Sequence, residues 1–393
     1  MAEYVSKCEE LQGLADEALG AAMRAGAEWC DVSCGRTWDT SVDVENGSIR
    51  SVDVTSTRAF TVRAFAAGAQ GVSSGTGFTT EDLLRGARDA AAMARSAQPD
   101  PDFRSLPAPE AFETVDGLFD ERIVAMTPEE AVAIAVRNIE GAREVDGEVT
   151  ISGGVGLDAA EHAFASSTGV RVARRSTAME VSFFCIVRRG GDSGSFYEFD
   201  MGRMLDDVQP DGCGRSAAEH ALRFLGARKA ATRRMSIVLG PLASFSFLRS
   251  LAGSTNAENI QRRRSFMVGR LGTKVASPLV TLSDDGLIAR GMFSTPCDGE
   301  GAPRRRVSLF DEGVFSAMLH NSYTAGKASV PNTGHGGRTG GIHPSNLVVA
   351  LGGRTADEII ADTDEGVYIN MGSVTPDPAS GDISASVDFG FKI

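Results

Sequence analysis

Residues 235–272, MSIVLGPLASFSFLRSLAGSTNAENIQRRRSFMVGRLG, place a strand, a chain breaker and an apolar helix in succession. The strand is Ile237–Leu239, Gly240-Pro241 ends it, and Phe245–Leu251 predicts the first turns of a buried helix. The polar side chains that follow, up to Thr255, are Ser, Thr and Arg, whereas zinc in proteins is bound by imidazole, thiolate or carboxylate groups. The segment therefore has an arrangement on which catalytic groups are often mounted, but it lacks zinc-binding side chains.

Composition and charge limit the class of partner. The chain has 393 residues, with 39 basic and 52 acidic side chains and a formal charge of −13. Phosphate binding requires clustered positive charge, so we expect no nucleic-acid partner and interpret Arg262–Arg264 and Arg304–Arg306 as solvated edges. No apolar run approaches the roughly 18 residues that a membrane span requires, and no signal peptide begins the chain. We therefore expect no membrane association.

The cysteines indicate a reducing compartment. The chain has six scattered cysteines and no repeated CxxC pattern. Cys30 and Cys34 lie in one predicted strand, where they would point to the same face. These features predict reduced thiols and a cytoplasmic location.

The order of predicted elements indicates an α+β protein with two domains. Asn46-Gly47 predicts a β-hairpin, because both turn positions need positive φ, and Thr127-Pro128-Glu129-Glu130 is a capping box that begins a helix. Strands and helices do not alternate as βαβ units, which favours antiparallel sheets with helices packed on one face. We place the domain boundary at the polar, glycine-containing segment near residue 213. Residues 1–213 form the first domain, and residues 214–393 form a strand-dominated second domain.

The residues that could carry chemistry form no familiar catalytic motif. The five histidines include no pair at the helical spacing of zinc ligands. His335 and His343 flank a glycine-rich loop, which we interpret either as the wall of a binding site or as a flexible connection. Acidic residues occur in Asp284-Asp285-Gly286 and Asp298-Gly299-Glu300-Gly301. We interpret both as turns whose carboxylates hold backbone N–H groups, rather than as acid–base pairs.

Several short motifs follow one another in a specific order along nearly the whole chain. They are Asp31-Val32, Glu45-Asn46-Gly47, Val62-Arg63, Val238-Leu239-Gly240-Pro241, Asp284-Asp285-Gly286, Asp298-Gly299-Glu300-Gly301, Asn346-Leu347 and Glu365-Gly366-Val367-Tyr368. Each motif is short, but their combined order and spacing resemble the TldD/PmbA family. Its members are metallopeptidases that work as TldD–TldE pairs, and PmbA is an older name for TldE.

The resemblance also shows what this chain lacks. In the catalytic TldD branch, an H-E-x-x-x-H motif lies on the helix after the strand that corresponds to Ile237–Leu239. Its histidines bind zinc, its glutamate is the general base, and a cysteine nearer the C-terminus resembles a third ligand. In this chain the three positions are Arg249, Ser250 and Ser254, and no cysteine follows Cys297. The resemblance therefore implies a TldE/PmbA-like chain with no catalytic residue, no metal ligand and no cofactor of its own.

A peptidase that uses zinc-activated water cannot work without ligands. The resemblance thus implies a non-catalytic subunit that pairs with a zinc-containing TldD-type subunit and helps it to degrade or trim unfolded or leader peptides. The substrate would be extended, as in strand addition to a sheet edge. The side chains expected to line the cavity or to fix its loops are Asp298, Glu300, His335, Arg338 and Asn346.

Three alternatives remain open from the sequence. The chain could be a binding or scaffold protein that acts without a peptidase partner, as a homodimer for example. It could be an independent hydrolase that uses His335 with a neighbouring serine or aspartate. It could be a direct regulator of DNA gyrase, as an older description of the family implies, although the acidic charge and the lack of a basic face disfavour this.

Overall fold

The structure, a computed structural model, describes residues 7–229, 231 and 233–393. The chain forms two compact units. Unit 1 comprises the chain up to Glu110, Thr114–Arg228 and Ala289–Ser294, and unit 2 comprises Ala111–Glu113, Lys229–Ile288 and Thr295–Ile393. No helix in the described part of the chain is long and apolar enough to cross a membrane.

Unit 1 is built on one antiparallel sheet. Its strands are β1 (Trp29–Glu45), β2 (Ser48–Ala66), β3 (Ala69–Thr76), β4 (Thr150–Ser166), β5 (Arg171–Arg189) and β6 (Asp192–Gly202), in the spatial order β3-β2-β1-β4-β5-β6. Its helices are α1 (Cys8–Arg24), α2 (Thr80–Ser96), α3 (Glu121–Ala125), α4 (Pro128–Val145) and α5 (Cys213–Arg223), with a 3₁₀ turn at Leu205–Asp207. The predicted Asn46-Gly47 hairpin is present, with φ values of 50° and 74°.

The helices of unit 1 cover one face of its sheet. Alternate residues of β5 are fully buried, Met179, Val181 and Phe183 among them, because successive side chains of a strand point to opposite faces. Cys30 and Cys34 lie on the same buried face of β1, in the core formed with α1 and α2. The predicted α+β class, with antiparallel sheets and helices on one face, is confirmed.

The division between the units lies later than the sequence predicted. The predicted boundary between residues 213 and 214 falls at the first residue of α5, but the whole of α5 belongs to unit 1. Gly214 N–H donates to Asn138 Oδ1 of α4 at 2.8 Å, and a Cβ at Gly214 would lie 2.2 Å from the Asn138 carbonyl oxygen. The helix therefore completes the core of the first sheet, and the units divide between Arg228 and Lys229.

Unit 2 contains two smaller sheets. Its strands are β7 (Ser236–Leu239), β8 (Leu282–Asp285), β9 (Arg306–Asp311), β10 (Val314–Phe315), β11 (Leu347–Val349), β12 (Gly366–Pro376) and β13 (Ile383–Lys392). Its helices are α6 (Pro241–Ser254), α7 (Ala257–Gln261), α8 (Ser322–Ala328) and α9 (Ala356–Ala361). One sheet has the order β10-β9-β8-β11 and the other β13-β12-β7. The β7–β12 pair is parallel, whereas the other pairs of named strands in the described chain are antiparallel.

The strand and helix at the start of the quoted segment form as β7 and α6, but α6 is less buried than predicted. Phe245 is 55% exposed, and Ala243, Ala252 and Ser254 are the residues of α6 that are buried. The helix packs against β12, where Ser246 Oγ accepts a hydrogen bond from Val374 N–H at 2.9 Å. One flank of α6 therefore remains in contact with solvent.

Candidate functional site

The candidate site consists of loops of unit 2 that meet at the end of β8. This strand pairs with β9 on one side and with β11 on the other, and it carries Asp284 and Asp285 at its end. Three further segments supply the other polar groups: residues 297–301, the glycine-rich loop 333–338, and residues 345–346, which lie just before β11. All five predicted cavity residues lie in these three segments, so the fold brings them to one region.

Asp284 is the centre of a buried hydrogen-bond network. Its carboxylate accepts from His335 Nε2 at 2.8 Å and from Ser345 N–H at 2.6 Å, and it also binds the Ser345 hydroxyl. The other ring nitrogen of His335, Nδ1, lies 3.0 Å from Thr333 Oγ1. His335 and Asp284 are both 0% exposed. The network therefore joins β8 to two loops and uses both nitrogens of the imidazole.

This order of groups differs from that of a hydrolase triad. In a triad the imidazole lies between serine and carboxylate, so that it can take the serine proton. Here the carboxylate of Asp284 lies between Ser345 and His335. The hydroxyl donates directly to the carboxylate, and the geometry does not support an independent hydrolase that uses His335 as a base.

Asp298 holds its own turn together through backbone N–H groups. Oδ1 accepts from the N–H groups of Glu300 and Ala302, both at 2.9 Å, and Oδ2 accepts from Gly336 N–H at 2.6 Å. Burial, and after it the charge of Glu300, raises the pKa of Asp298 to about 7. The bond to Gly336 attaches this turn to the glycine-rich loop.

Glu300 connects the same turn to α8. Its Oε2 accepts from Ser322 N–H at 2.8 Å and from the Ser322 hydroxyl, and the residue is only 4% exposed. A Cβ added at Gly336 would lie 2.5 Å from Glu300 Cγ and 2.6 Å from its Oε2. Only glycine at position 336 leaves room for this carboxylate.

Arg338 and Asn346 are half-buried at the border of the cluster. Arg338 Nη1 donates to the Gly299 carbonyl oxygen at 3.4 Å, and Asn346 Nδ2 donates to the Asp285 carbonyl oxygen at 2.7 Å. The backbone of Asn346 also accepts from Asp285 N–H at 2.9 Å. These side chains retain partial exposure, whereas Asp298, Glu300 and His335 are buried among loop hydrogen bonds.

The glycine-rich loop is ordered by hydrogen bonds. His343 N–H donates to the His335 carbonyl oxygen at 3.0 Å, and Gly337 N–H donates to the Gly341 carbonyl oxygen at 3.1 Å. An isolated β-bridge joins Gly336 to Ile342. These bonds favour the wall of a binding site over a flexible connection, and both interpretations stay predictions.

Comparison with known proteins assigns the chain to a family. Residues 30–94 match the model of PmbA/TldA metallopeptidase domain 1, residues 121–225 match the central domain, and residues 232–393 match the C-terminal domain. The chain belongs to the PmbA/TldD metallopeptidase family. The predicted resemblance is therefore confirmed, and the models of the central and C-terminal domains meet close to the division between the two units.

Relatives from both branches of the PmbA/TldD family resemble this chain. The metalloprotease PmbA of Escherichia coli O157:H7 is 25% identical over 379 residues, 93% of this chain and 82% of that protein. A TldD homologue of Haemophilus influenzae is 27% identical over 191 residues, 46% of this chain and 40% of that protein. The crystal structure of TldE from Thermococcus kodakarensis superposes with a TM-score of 0.85 at 23% identity, over 97% of this chain and 88% of that one. This last likeness shows the shared fold.

The three positions of α6 that we predicted to correspond to the TldD zinc motif differ in exposure. Arg249 is exposed, Ser250 is half-buried, and Ser254 is 0% exposed. Ser254 Oγ donates to the Leu251 carbonyl oxygen at 2.6 Å, and the Ser254 carbonyl oxygen accepts from Ser265 Oγ at 2.7 Å. Ser254 thus helps to connect the end of α6 to the segment that follows.

These residues do not fit a zinc ion. A guanidinium group carries positive charge and has no lone pair to give, and neutral hydroxyl groups are poor zinc ligands beside imidazole, thiolate or carboxylate. Within residues 7–229, 231 and 233–393, no three His, Cys, Asp or Glu side chains are placed so that they could hold a metal ion. The donor set on α6 therefore disagrees with the metal that the family name implies.

Sequence reasoning missed several members of the loop cluster. Ser345, Ser322 and Thr333 are ordinary small polar residues in the sequence, and nothing in their spacing distinguishes them. Asp284 was interpreted only as part of a turn, although it is the centre of the buried network. Its position at the end of a buried strand is the one signal that could have indicated this role.

Proposed function

We propose that this chain is a non-catalytic, TldE/PmbA-like subunit of a heterodimeric zinc metallopeptidase. Its partner is a TldD-type chain that carries the zinc ion and the general base, and together they degrade or trim unfolded or leader peptides in the cytoplasm. This chain contributes no catalytic residue and binds no cofactor. It contributes an ordered surface of loops that completes the peptide-binding cavity.

The observation that carries this proposal is the side-chain set on α6. A helix follows the strand at the position expected for the zinc motif, but it presents Arg249, Ser250 and Ser254. Ser254 is fully buried and hydrogen-bonded within unit 2, so this end of the helix has a structural role. Catalysis by zinc-activated water needs ligands that hold the metal, and the family supplies them in another chain.

The hydrogen bonds of the loop cluster favour a role as the wall of a peptide-binding cavity over a role as a catalytic centre. The carboxylate oxygens of Asp284, Asp298 and Glu300 accept hydrogen bonds from loops and from α8. Loops held in this way present a surface of fixed shape, and preorganised surfaces bind a ligand at lower entropic cost. Arg338 and Asn346, which keep partial exposure, are the residues we assign to peptide contact.

The proposal is tested by co-expressing this chain with the TldD-type chain of the same organism. Co-purification, zinc content by mass spectrometry and cleavage of an unfolded protein are measured for each chain alone and for the mixture. We expect zinc in the partner only and cleavage that requires or is raised by this chain. Stoichiometric zinc or cleavage with this chain alone would overturn the proposal.

A matched pair of variants then tests the contact role. Arg338→Ala removes a half-exposed side chain of the cluster, and Arg354→Ala removes an exposed one elsewhere in unit 2. We expect the first to reduce cleavage by the complex without loss of co-purification, and the second to change neither. A chain that stays homodimeric and never co-purifies with a TldD-type protein would favour the partner-independent scaffold instead.

A further inference from the structure

The two edge strands of the sheet in unit 1 differ in how they are protected against pairing with a further strand. At one edge, β6 carries acidic residues and is held by the chain that follows it. Gln209 N–H donates to Asp200 Oδ2 at 2.7 Å, and Gly226 N–H donates to Asp192 Oδ2 at 2.6 Å. Charges and covering loops of this kind are how proteins prevent unwanted strand pairing at a sheet edge.

The other edge, β3, has no such protection. Its sequence AQGVSSGT contains no charged residue and no proline. Gly77 N–H donates to the Arg58 carbonyl oxygen at 2.8 Å, and hydrogen-bonded pairs alternate along an antiparallel ladder. The backbone groups of Gln70, Val72, Ser74 and Thr76 therefore point away from β2. All four residues are exposed, and these groups bond to no other element of the described chain.

Helix α2 lies directly beside this free edge. A Cβ at Gly71 would lie 2.1 Å from the Ala90 carbonyl oxygen, and a Cβ at Gly86 would lie 3.0 Å from Ser73 Oγ. Because helix and strand approach so closely, the flank of α2 that carries Asp82, Arg85, Asp89 and Met93 runs along β3. We call the space between the free edge of β3 and this flank the edge groove.

The edge groove widens into a pocket at the C-terminal end of β3, where the chain enters α2. The pocket has a volume of about 330 Å³ and is lined by Phe60, Gly75, Phe78, Asp82, Arg85 and Asp89, among others. The Phe60 and Phe78 rings meet edge to face with centroids 5.2 Å apart. The wall is thus partly aromatic, and glycine at position 75 keeps space open above it.

The pocket has an available negative charge. Asp82 is occupied, because it accepts from Thr79 N–H and pairs with Arg85. Asp89 is exposed and forms no ion pair with a described residue. Arg58 already lies over the Phe78 ring, 4.7 Å from its centroid. The Phe60 ring and the Asp89 carboxylate therefore remain for the aliphatic stem and cationic head of an arginine or lysine side chain.

We propose that the edge groove binds an extended polypeptide segment, which adds to β3 as a further strand and places a basic side chain in the pocket beside Asp89. The backbone groups of Gln70, Val72, Ser74 and Thr76 supply the hydrogen bonds, and the pocket supplies the side-chain preference. The groove lies wholly within unit 1, so the proposal does not depend on pairing with a TldD-type chain.

The test uses the full-length chain alone and a fluorescently labelled seven-residue peptide of alternating threonine and valine with a central arginine. Binding is measured by fluorescence anisotropy, and amide hydrogen exchange reports on β3. We expect slower exchange at Gln70, Val72, Ser74 and Thr76 in the bound state. Replacing the central arginine of the peptide by glutamate weakens binding by about tenfold or more, since it loses an ion-assisted hydrogen bond.

Protein variants separate the two parts of the site. Asp89→Asn should weaken binding of the arginine peptide and leave binding of a peptide with a central alanine unchanged. The control Glu81→Gln removes a charge from the same helix and should change the binding of neither peptide. Val72→Pro removes an outward N–H donor and should abolish binding. A peptide N-methylated on alternate amides tests the same hydrogen bonds without altering the protein. Its loss of binding would therefore support strand addition even if Val72→Pro fails to fold.

Several results would overturn the proposal. Absence of binding to the parent chain would do so, and so would equal affinity for arginine and glutamate peptides. Self-association that Val72→Pro abolishes, with no peptide binding, would assign the edge to a second copy of this chain. None of these results depends on zinc or cleavage, so they are independent of the test of the proposed function.

Discussion

At the scale of single residues, Gly336 has little freedom to change in the candidate site. Its N–H donates to Asp298, and a Cβ there would lie 2.5 Å from Glu300 Cγ. We expect Gly336→Ala to lower the free energy of unfolding by about 1–3 kcal/mol, because a buried carboxylate must move to accommodate the methyl group. Urea denaturation followed by circular dichroism measures this change.

Gly352→Ala is the matched control, since no atom lies within 4 Å of the Cβ it would add. Its effect should stay within about 0.5 kcal/mol. Equal stability of the two variants would mean that the contact between Glu300 and Gly336 is not as close in solution as in the structure.

A second prediction at this scale concerns Asp158, which lies opposite Asp39 across β1 and β4. Partial burial of the carboxyl group, its hydrogen bond with Asp39 and the charges of Asp39 and Glu180 raise the pKa of Asp158 to about 7. Its value in the unfolded chain is about 4. Between these values the unfolded chain loses the proton while the folded chain keeps it, so the contribution to stability falls as pH rises from about 4 to 7.

Asp158→Asn should remove this part of the pH dependence, because asparagine can still donate a hydrogen bond to Asp39 but does not titrate. The free energy of unfolding is measured at several pH values for both proteins. Asp53→Asn, which removes an exposed carboxylate of the neighbouring strand β2, is the control. If the stability of Asp158→Asn keeps the slope of the parent chain between pH 4 and 7, the raised pKa of Asp158 is contradicted.

At the scale of elements, helix starts depend on local sequence, as the capping boxes at Thr79, Thr127, Asn321 and Thr355 show. Thr127 Oγ1 accepts from Glu130 N–H at 3.2 Å, and Glu130 Oε2 accepts from Thr127 N–H at 2.7 Å, at the start of α4. The same arrangement occurs at Thr355 before α9. A cap involves residues three apart, so pattern alone predicts it.

The two caps should differ in their effect on the whole protein. Helix α4 buries Ala131, Ile134, Ile139 and other residues, whereas α9 buries none. We expect Thr127→Ala to lower the free energy of unfolding by about 1 kcal/mol. Thr355→Ala should instead fray α9 locally, as amide exchange would report, with little change in global stability. A large global effect of Thr355→Ala would mean that α9 has packing contacts beyond those seen.

At the scale of the whole molecule, α5 decides where unit 1 ends. It packs on α4 and β6, and Cys185 Sγ lies 3.7 Å from the Gly214 carbonyl oxygen. We expect a fragment ending at Arg228 to melt cooperatively and one ending at Cys213 to lose that transition, because Val181, Phe183 and Cys185 would be exposed on the sheet. Calorimetry of the two fragments measures this, and equal melting would place the boundary where the sequence suggested.

The sequence by itself determined the features that rest on neighbouring residues. The Asn46-Gly47 hairpin, the cap at Thr127 and the alternation of buried residues follow from local φ preferences and from strand and helix periods, and they were predicted correctly. Family motifs also contained pairs that meet in space: Asp31 and Arg63, from two separate motifs, form a buried ion pair at 2.5 Å. The side chains available at Arg249, Ser250 and Ser254 were likewise known from sequence alone, since ligand chemistry depends on residue type.

Only the tertiary structure decided the features that depend on distant segments. Asp284 contacts His335 and Ser345, which are 51 and 61 residues away, and such contacts leave no local pattern. The parallel pairing of β7 with β12, the partial exposure of Phe245 and the assignment of α5 to unit 1 have the same origin. In each case the deciding term is packing against a segment that the chain brings close only when it folds, because burial and hydrogen bonding between distant residues outweigh local preference.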